Sequence, residues 1–176
     1  MLWFIIGIFA AATGEEFIFR GIIYQSLIEK FNPTIVTLII SLLFSFVHSM
    51  NPNVEFFDLI NVFLAGIVIS LMYLKTLSLW MPISFHFVWN VSQHLLLGSP
   101  VSGIDFNQEI LEFDVFYDDK WYNMFIGNEF GVEGSILTTL FLLFCVFYLL
   151  KFVKTSPYQS SLNFRNRYLI SKLKDE

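Results

Sequence analysis

Long apolar stretches separated by short polar turns dominate the chain. Five of these stretches approach the roughly 20 residues that a transmembrane helix needs. Pairs and triplets of Asn, Pro, Gly and Ser, which are typical of helix ends, lie between several of them. The stretches are Leu2–Leu27, Thr34–Ser49, Leu59–Leu74, Leu79–Leu97 and Ser135–Val153. The pattern predicts an all-α integral membrane protein, a polytopic transmembrane helical bundle of about five spans.

Composition supports a lipid environment. Hydrophobic residues make up 56% of the 176 residues, with 22 Phe, whereas a soluble domain has roughly 45–50% apolar residues. The length suits one domain, so we assign residues 1–155 to a single transmembrane domain. The net charge of −5 argues against nucleic acid as a partner and leaves the lipid bilayer as the expected surroundings.

Charged residues are segregated along the chain. Helical periodicity fails between Pro100 and Gly134, where eight acidic residues accompany one lysine. We therefore expect residues 100–134 to form a solvated, extramembrane acidic loop. Residues 156–176 form a basic tail, and a Lys/Arg excess beside a membrane segment favours the cytoplasm. This predicts a multi-pass cell-membrane protein whose C-terminus is cytoplasmic and whose acidic loop lies on the opposite side.

The first apolar stretch contains charged residues near its centre, in the sequence Glu-Glu-x-x-x-Arg. A charge at membrane depth costs about 2.5–3.5 kcal/mol and is a functional candidate by default. Glu16 and Arg20 are four residues apart, so they share a helix face and are expected to pair. Glu15 is rotated from Glu16 by about 100°. It is therefore predicted to stay outside that pair and to face a different cavity.

Two further polar motifs occur in apolar helices. Phe44 lies one turn before His48, and His86 lies one turn before Asn90. A carboxylate, two imidazoles and an amide can together hold a water molecule, remove its proton and stabilise the negative charge on an attacked carbonyl. His94 follows Asn90 by another turn, and we expect it at the membrane interface.

The ordered motifs EExxxR, FxxxH and HxxxN, on successive apolar helices, resemble those of the CPBP family, the CAAX-protease and bacteriocin-processing and self-immunity proteins. This family includes the CAAX prenyl endopeptidases. The resemblance covers about residues 14–97. It implies an intramembrane endopeptidase whose substrate is a membrane-associated peptide or protein, either prenylated or of the bacteriocin or leader type.

Carried over residue by residue, the resemblance implies that Glu15 and His48 activate the water and that His86 and Asn90 stabilise the oxyanion. The residues expected to support the site are Glu16, Arg20 and Phe44. The other known intramembrane protease motifs, GxSG, GxGD and HExxH, are absent from the sequence. This leaves either the Glu/His chemistry or no catalysis.

Two alternatives stay open at this stage. In the first, the site is a metal centre in which Glu15, His48 and His86 bind zinc or another divalent cation, because these side chains suit zinc. In the second, it is a metal-free Glu/His pair, because no dedicated metal motif is present. The fold also suits a non-catalytic membrane binding or immunity protein. Intact motifs favour the enzyme.

The expected depths of the polar residues conflict. At ~1.5 Å per residue, Glu15 and His48 lie roughly 20 Å from the inner ends of their helices, but His86 lies only about 10 Å from its own. Three explanations would bring these residues to one depth: the Lys75–Trp80 turn is sunk in the protein, the helices are tilted or short, or one helix boundary is shifted.

Overall fold

The computed structural model describes residues 1–106 and 120–154. Within these residues the regular structure is helical, with two isolated β-bridges. The helices are α1 Leu2–Ile28, α2 Pro33–His48, α3 Phe56–Thr76, α4 Trp80–Leu95, α5 Lys120–Ile126 and α6 Ile136–Phe152. All but α5 correspond to the predicted stretches. The basic tail 156–176 and residues 107–119 of the acidic loop lie outside the described residues.

Length and composition divide the helices into two groups. Helices α1 and α3 are long and apolar enough to cross a membrane, whereas α2 and α6 are apolar but shorter. The prediction of five spans therefore stays a prediction. The outer surface is apolar, since Leu42, Phe46 and Phe144 are each more than 60% exposed. Such a surface matches lipid rather than water.

Helix α3 is the centre of the bundle. It packs against α2 on one side and α6 on another, while α1 packs against α4. The closest approach is at Gly66, where an added methyl group would lie 3.0 Å from the Cα of Ser41 on α2. This small residue lets the α2 and α3 backbones meet, as in other membrane helix pairs.

A π-helical segment, Phe17–Tyr24, interrupts α1, and such segments often mark functional sites. Leu79, just before α4, packs against Gly21 of this segment, where an added methyl group would lie 3.2 Å from the leucine Cδ1. Gly21 is about 10 Å along α1 from Ile28. The Lys75–Trp80 turn is therefore sunk into the bundle, which brings His86 to the depth of Glu15 and removes the conflict in depth.

The described parts of the acidic loop correct the expectation of a merely solvated connection. Residues 99–104 and 127–135 fold onto the end of the bundle, and we call these two segments the cap. The Gly103 amide donates to the Phe130 carbonyl at 2.7 Å, and the Gln93 side chain donates to the Pro100 carbonyl at 2.6 Å. Phe130 is fully buried. The contact from Gly103 to Phe130 joins the two ends of the loop, so no helical periodicity predicts it.

His94 is also not interfacial, contrary to the prediction from its position. It is 1% exposed, its Nδ1 contacts the Ser99 carbonyl at 3.1 Å, and its ring lies against Phe4 and Phe106. The residue ties the end of α4 to the cap and to α1. Its partners come from segments that the sequence does not show to be close.

Candidate active site

Three polar side chains from three helices meet at the level of the π-helical segment. The Glu15 Oε2 atom lies 4.0 Å from the Nε2 atoms of both His48 and His86. This oxygen is itself buried and has no hydrogen-bond partner in the described part of the chain. A small polar group between the carboxylate and the two imidazoles would satisfy all three.

The other ring nitrogen of each histidine is already engaged. His48 Nδ1 lies 2.8 Å from the Phe44 carbonyl, and His86 Nδ1 lies 2.8 Å from Glu16 Oε1. Since carbonyl and carboxylate oxygens only accept, both Nδ1 atoms donate. In neutral His48 the Nε2 atom is then the proton acceptor. The Glu16 carboxylate instead favours the doubly protonated ring of His86, in which Nε2 donates.

Glu16 and Arg20 form the ion pair that their spacing predicts. Both side chains are fully buried, and Nη1 of the arginine lies 3.1 Å from Oε2 of the glutamate. Arg20 also donates from Nη2 to the Gly66 carbonyl at 3.2 Å. The contact from Glu16 to His86 was not predicted, because it joins residues 70 positions apart. Glu16 therefore links the buried pair to the site.

Phe44 lies between the ion pair and the histidines. Its ring centroid is 4.4 Å from that of His48 and 6.2 Å from that of His86. The Arg20 guanidinium lies 4.6 Å from the same centroid, within cation–π range. The Phe44 carbonyl orients His48, and the Phe44 ring fills the space beside both histidines. Both contacts suit a residue that supports the site.

A small cavity of about 30 Å³ lies beside these residues. Its polar lining includes His48, His86 and Asn90, and Asn90 lies on the same face of α4 as His86, as the spacing predicts. The remaining wall is largely apolar. The four predicted catalytic residues thus divide into Glu15, between the histidines, and three residues that line one cavity.

Glu133 of the cap lines the same cavity, and the sequence analysis did not single it out. Its Oε2 accepts from the amide and hydroxyl groups of Ser102 at 3.1 and 3.0 Å, and its Oε1 from Trp89 Nε1 at 3.4 Å. Desolvation raises the pKa of this carboxyl above its usual 4.5, against the lowering effects of His48, the Ser102 hydrogen bond and His86. In the sequence, the only signal for Glu133 was its place in the acidic loop.

The spacing of Glu15, His48 and His86 does not fit a zinc centre, although their chemistry does. With bonds of about 2.0–2.1 Å, tetrahedral ligand atoms lie about 3.3 Å apart, and atoms 4.0 Å apart would force an angle of roughly 150°. A water molecule about 2.8 Å from each atom needs an angle near 90°. No group of three or more His, Cys, Asp or Glu in residues 1–106 and 120–154 has metal-binding geometry.

Residues 1–92 match the family described as type II CAAX prenyl endopeptidase Rce1-like. The matched region contains α1 to α3 and most of α4, and thus all three motifs, whereas the cap lies beyond it. No curated protein and no solved structure matches the chain.

Proposed function

The chain belongs to the Rce1-like family of type II CAAX prenyl endopeptidases, and from that premise we propose that it hydrolyses a peptide bond with a water molecule activated by Glu15 and His48. The family is membrane-embedded and proteolytic, with membrane-associated peptide or protein substrates. The observation that carries the proposal is the position of Glu15 Oε2, which is 4.0 Å from the Nε2 atoms of both histidines.

The attacking water is held between the Glu15 carboxylate and the Nε2 atom of His48. Both are proton acceptors, because His48 donates from Nδ1 to the Phe44 carbonyl. Together they orient the water and remove its proton as its oxygen forms a bond to the substrate carbonyl carbon. The side chains of His48 and His86 are only 12% and 10% exposed, and charge interactions are stronger where little water is present.

The negative charge that develops on the carbonyl oxygen needs donors. His86 carries a carboxylate on Nδ1, which stabilises the doubly protonated ring and leaves Nε2–H as a donor. The Asn90 carboxamide, one helical turn further along α4, supplies a second donor in the same cavity. Groups fixed before the reaction cost no reorganisation when the charge appears. His48 therefore acts as a base and His86 as a hydrogen-bond donor because the Nδ1 partner of His48 is a carbonyl, whereas that of His86 is a carboxylate.

The activity test uses the purified chain in lipid and an internally quenched peptide with a prenylated cysteine. Glu15→Gln keeps the shape but not the charge, and is expected to reduce kcat by about 10²–10⁴. The matched control is Glu29→Gln at the exposed end of the first helix. Binding without cleavage by the native chain would instead support the non-catalytic alternative.

Metal dependence is tested on the same preparation. We expect no stoichiometric metal by elemental analysis and full activity after dialysis against a chelator. One zinc ion per chain, with chelator inhibition reversed by added zinc, would replace the water-only site by the metal site of Glu15, His48 and His86.

We further propose a multi-pass arrangement, in which the five long helices form the membrane domain and residues 156–176 lie in the cytoplasm. The basic tail supports this orientation. The cap then lies at the outer end of the bundle. An alkaline-phosphatase fusion after Glu176 should be inactive, whereas a fusion in residues 107–119 should be active. The reverse pattern would invert the topology.

A further inference from the structure

The cap places a carboxyl group in the cavity beside the two histidines. Glu133 lines this cavity together with His48, His86 and Asn90. Its main chain is fixed by Asn61 of α3, which donates to the Glu133 carbonyl at 2.6 Å and to that of Ser135 at 3.0 Å. A methyl group added at the neighbouring Gly134 would collide with the side-chain ends of Asp58 and Asn128, which would have to shift. The position of Glu133 is therefore built into the fold.

The two oxygens of Glu133 have different surroundings. Oε2 is held by two donors from Ser102, a residue whose φ of 49° is unusual for a non-glycine. Such conformations cost energy and concentrate at functional sites. Within residues 1–106 and 120–154, Oε1 accepts only the long 3.4 Å hydrogen bond from Trp89. Oε1 is therefore the oxygen that can carry a proton, while Ser102 holds the other in place.

We propose that Glu133 is the general acid of this site and protonates the amine that leaves when the peptide bond breaks. The inference rests on the proposed peptidase function and extends it beyond the three helical motifs. An amide nitrogen is a poor leaving group unless it gains a proton, and a neutral carboxyl group can supply one. The proton held by Glu15 and His48 comes from the attacking water. This pair acts on the water and not on the leaving amine.

The proton balance closes over one turnover. The water oxygen bonds to the carbonyl carbon, and its proton passes to the Glu15 and His48 pair. The carbon–nitrogen bond then breaks, and the nitrogen takes the proton of Glu133. The Glu133 carboxylate regains a proton as the Glu15 and His48 pair loses one. The charged and titratable groups around Glu133 are His48, His86 and Asp58, and Asp58 is already bonded to Asn128 and the Glu55 amide.

A matched pair of substrates tests this role. N-acyl-S-farnesylcysteine p-nitroanilide releases an amine that needs a proton, whereas the corresponding p-nitrophenyl ester releases a stable phenolate that does not. Glu133→Gln keeps an acceptor oxygen for Ser102 but has no proton to transfer. We expect kcat for the anilide to fall by about 10²–10⁴, and kcat for the ester to fall by less than about tenfold. The exposed Glu129→Gln variant is the control from the same segment.

The outcomes separate the two proposals. A native chain that hydrolyses neither substrate overturns the peptidase function itself. A native chain that hydrolyses both, with Glu133→Gln lowering the two rates equally or lowering neither, overturns only the role of Glu133. The alkaline limb of the kcat profile for the anilide gives a second measure, because it should disappear in Glu133→Gln. A merely structural role would leave that limb unchanged.

Discussion

The helical core and the cap build one cavity in different ways. In the core, the polar residues lie one turn apart on single helices, as with Glu16 and Arg20 or His86 and Asn90. In the cap, contacts join segments far apart in sequence, such as Ser102 with Glu133 and Asn61 with Ser135. The family match includes the core motifs and ends before the cap. The core thus contains the three motifs of the matched region, whereas the cap lies outside that region.

The largest effect should follow loss of the base in the core. His48→Ala removes Nε2 from the proposed water site, so activity on the quenched peptide should fall by about 10²–10⁴. The melting temperature should change little, since His48 lies at the end of α2 and, in the described part of the chain, its side chain makes one hydrogen bond, to the Phe44 carbonyl. Ser49→Ala, at the next residue, is the control and should keep activity. Full activity of His48→Ala would show that the helical core does not supply the base.

The next largest effect concerns stability of the core. Arg20→Ala breaks the buried ion pair and leaves the Glu16 carboxylate with only its His86 contact among the described residues, at a cost of about 3–5 kcal/mol. Melting in detergent should therefore occur at a much lower temperature, whereas the exposed Lys30→Ala should stay within about 0.5 kcal/mol. Because Glu16 also orients His86, the double variant Glu16→Gln with Arg20→Met should recover stability but not activity. Recovery of both stability and activity would show that the site does not need Glu16 to orient His86.

A smaller effect should be confined to the cap. Asn61 donates to the carbonyls of Glu133 and Ser135 and accepts from the Thr139 hydroxyl at 2.7 Å. Asn61→Ala removes the donor to the buried Glu133 carbonyl, at a cost of about 1–3 kcal/mol, whereas the Ser135 carbonyl still accepts from Thr139. Hydrogen-exchange protection of residues 127–135 should fall, with α2 unchanged. Asn32→Ala, which removes the α2 N-cap, should give the opposite pattern. Loss of protection throughout the bundle would show that core and cap unfold together.

The difference between core and cap also explains what could be predicted from sequence. Apolar runs fixed the helices to within a few residues, and turn spacing predicted the Glu16–Arg20 pair, because both depend on neighbours along one helix. The link from Glu16 to His86 and the recessed Leu79 turn depend on how helices pack. Glu133 depends on Ser102, Asn61 and Trp89, which are 31, 72 and 44 residues away. No periodicity encodes such contacts.

The smallest expected effect is a pH dependence of the cap alone. Burial raises the pKa of Glu133 above 4.5 when the cap is closed, so the closed cap binds this proton more tightly than the open one. The associated stability is complete below the ordinary pKa and decreases as pH rises to the raised value. Protection factors of residues 127–135, corrected for intrinsic exchange, should therefore decrease over that range. They should be constant in Glu133→Gln. An increase with pH in the native chain would mean that the Ser102 and histidine contacts outweigh burial, and that Glu133 is ionised in the cavity rather than holding a proton.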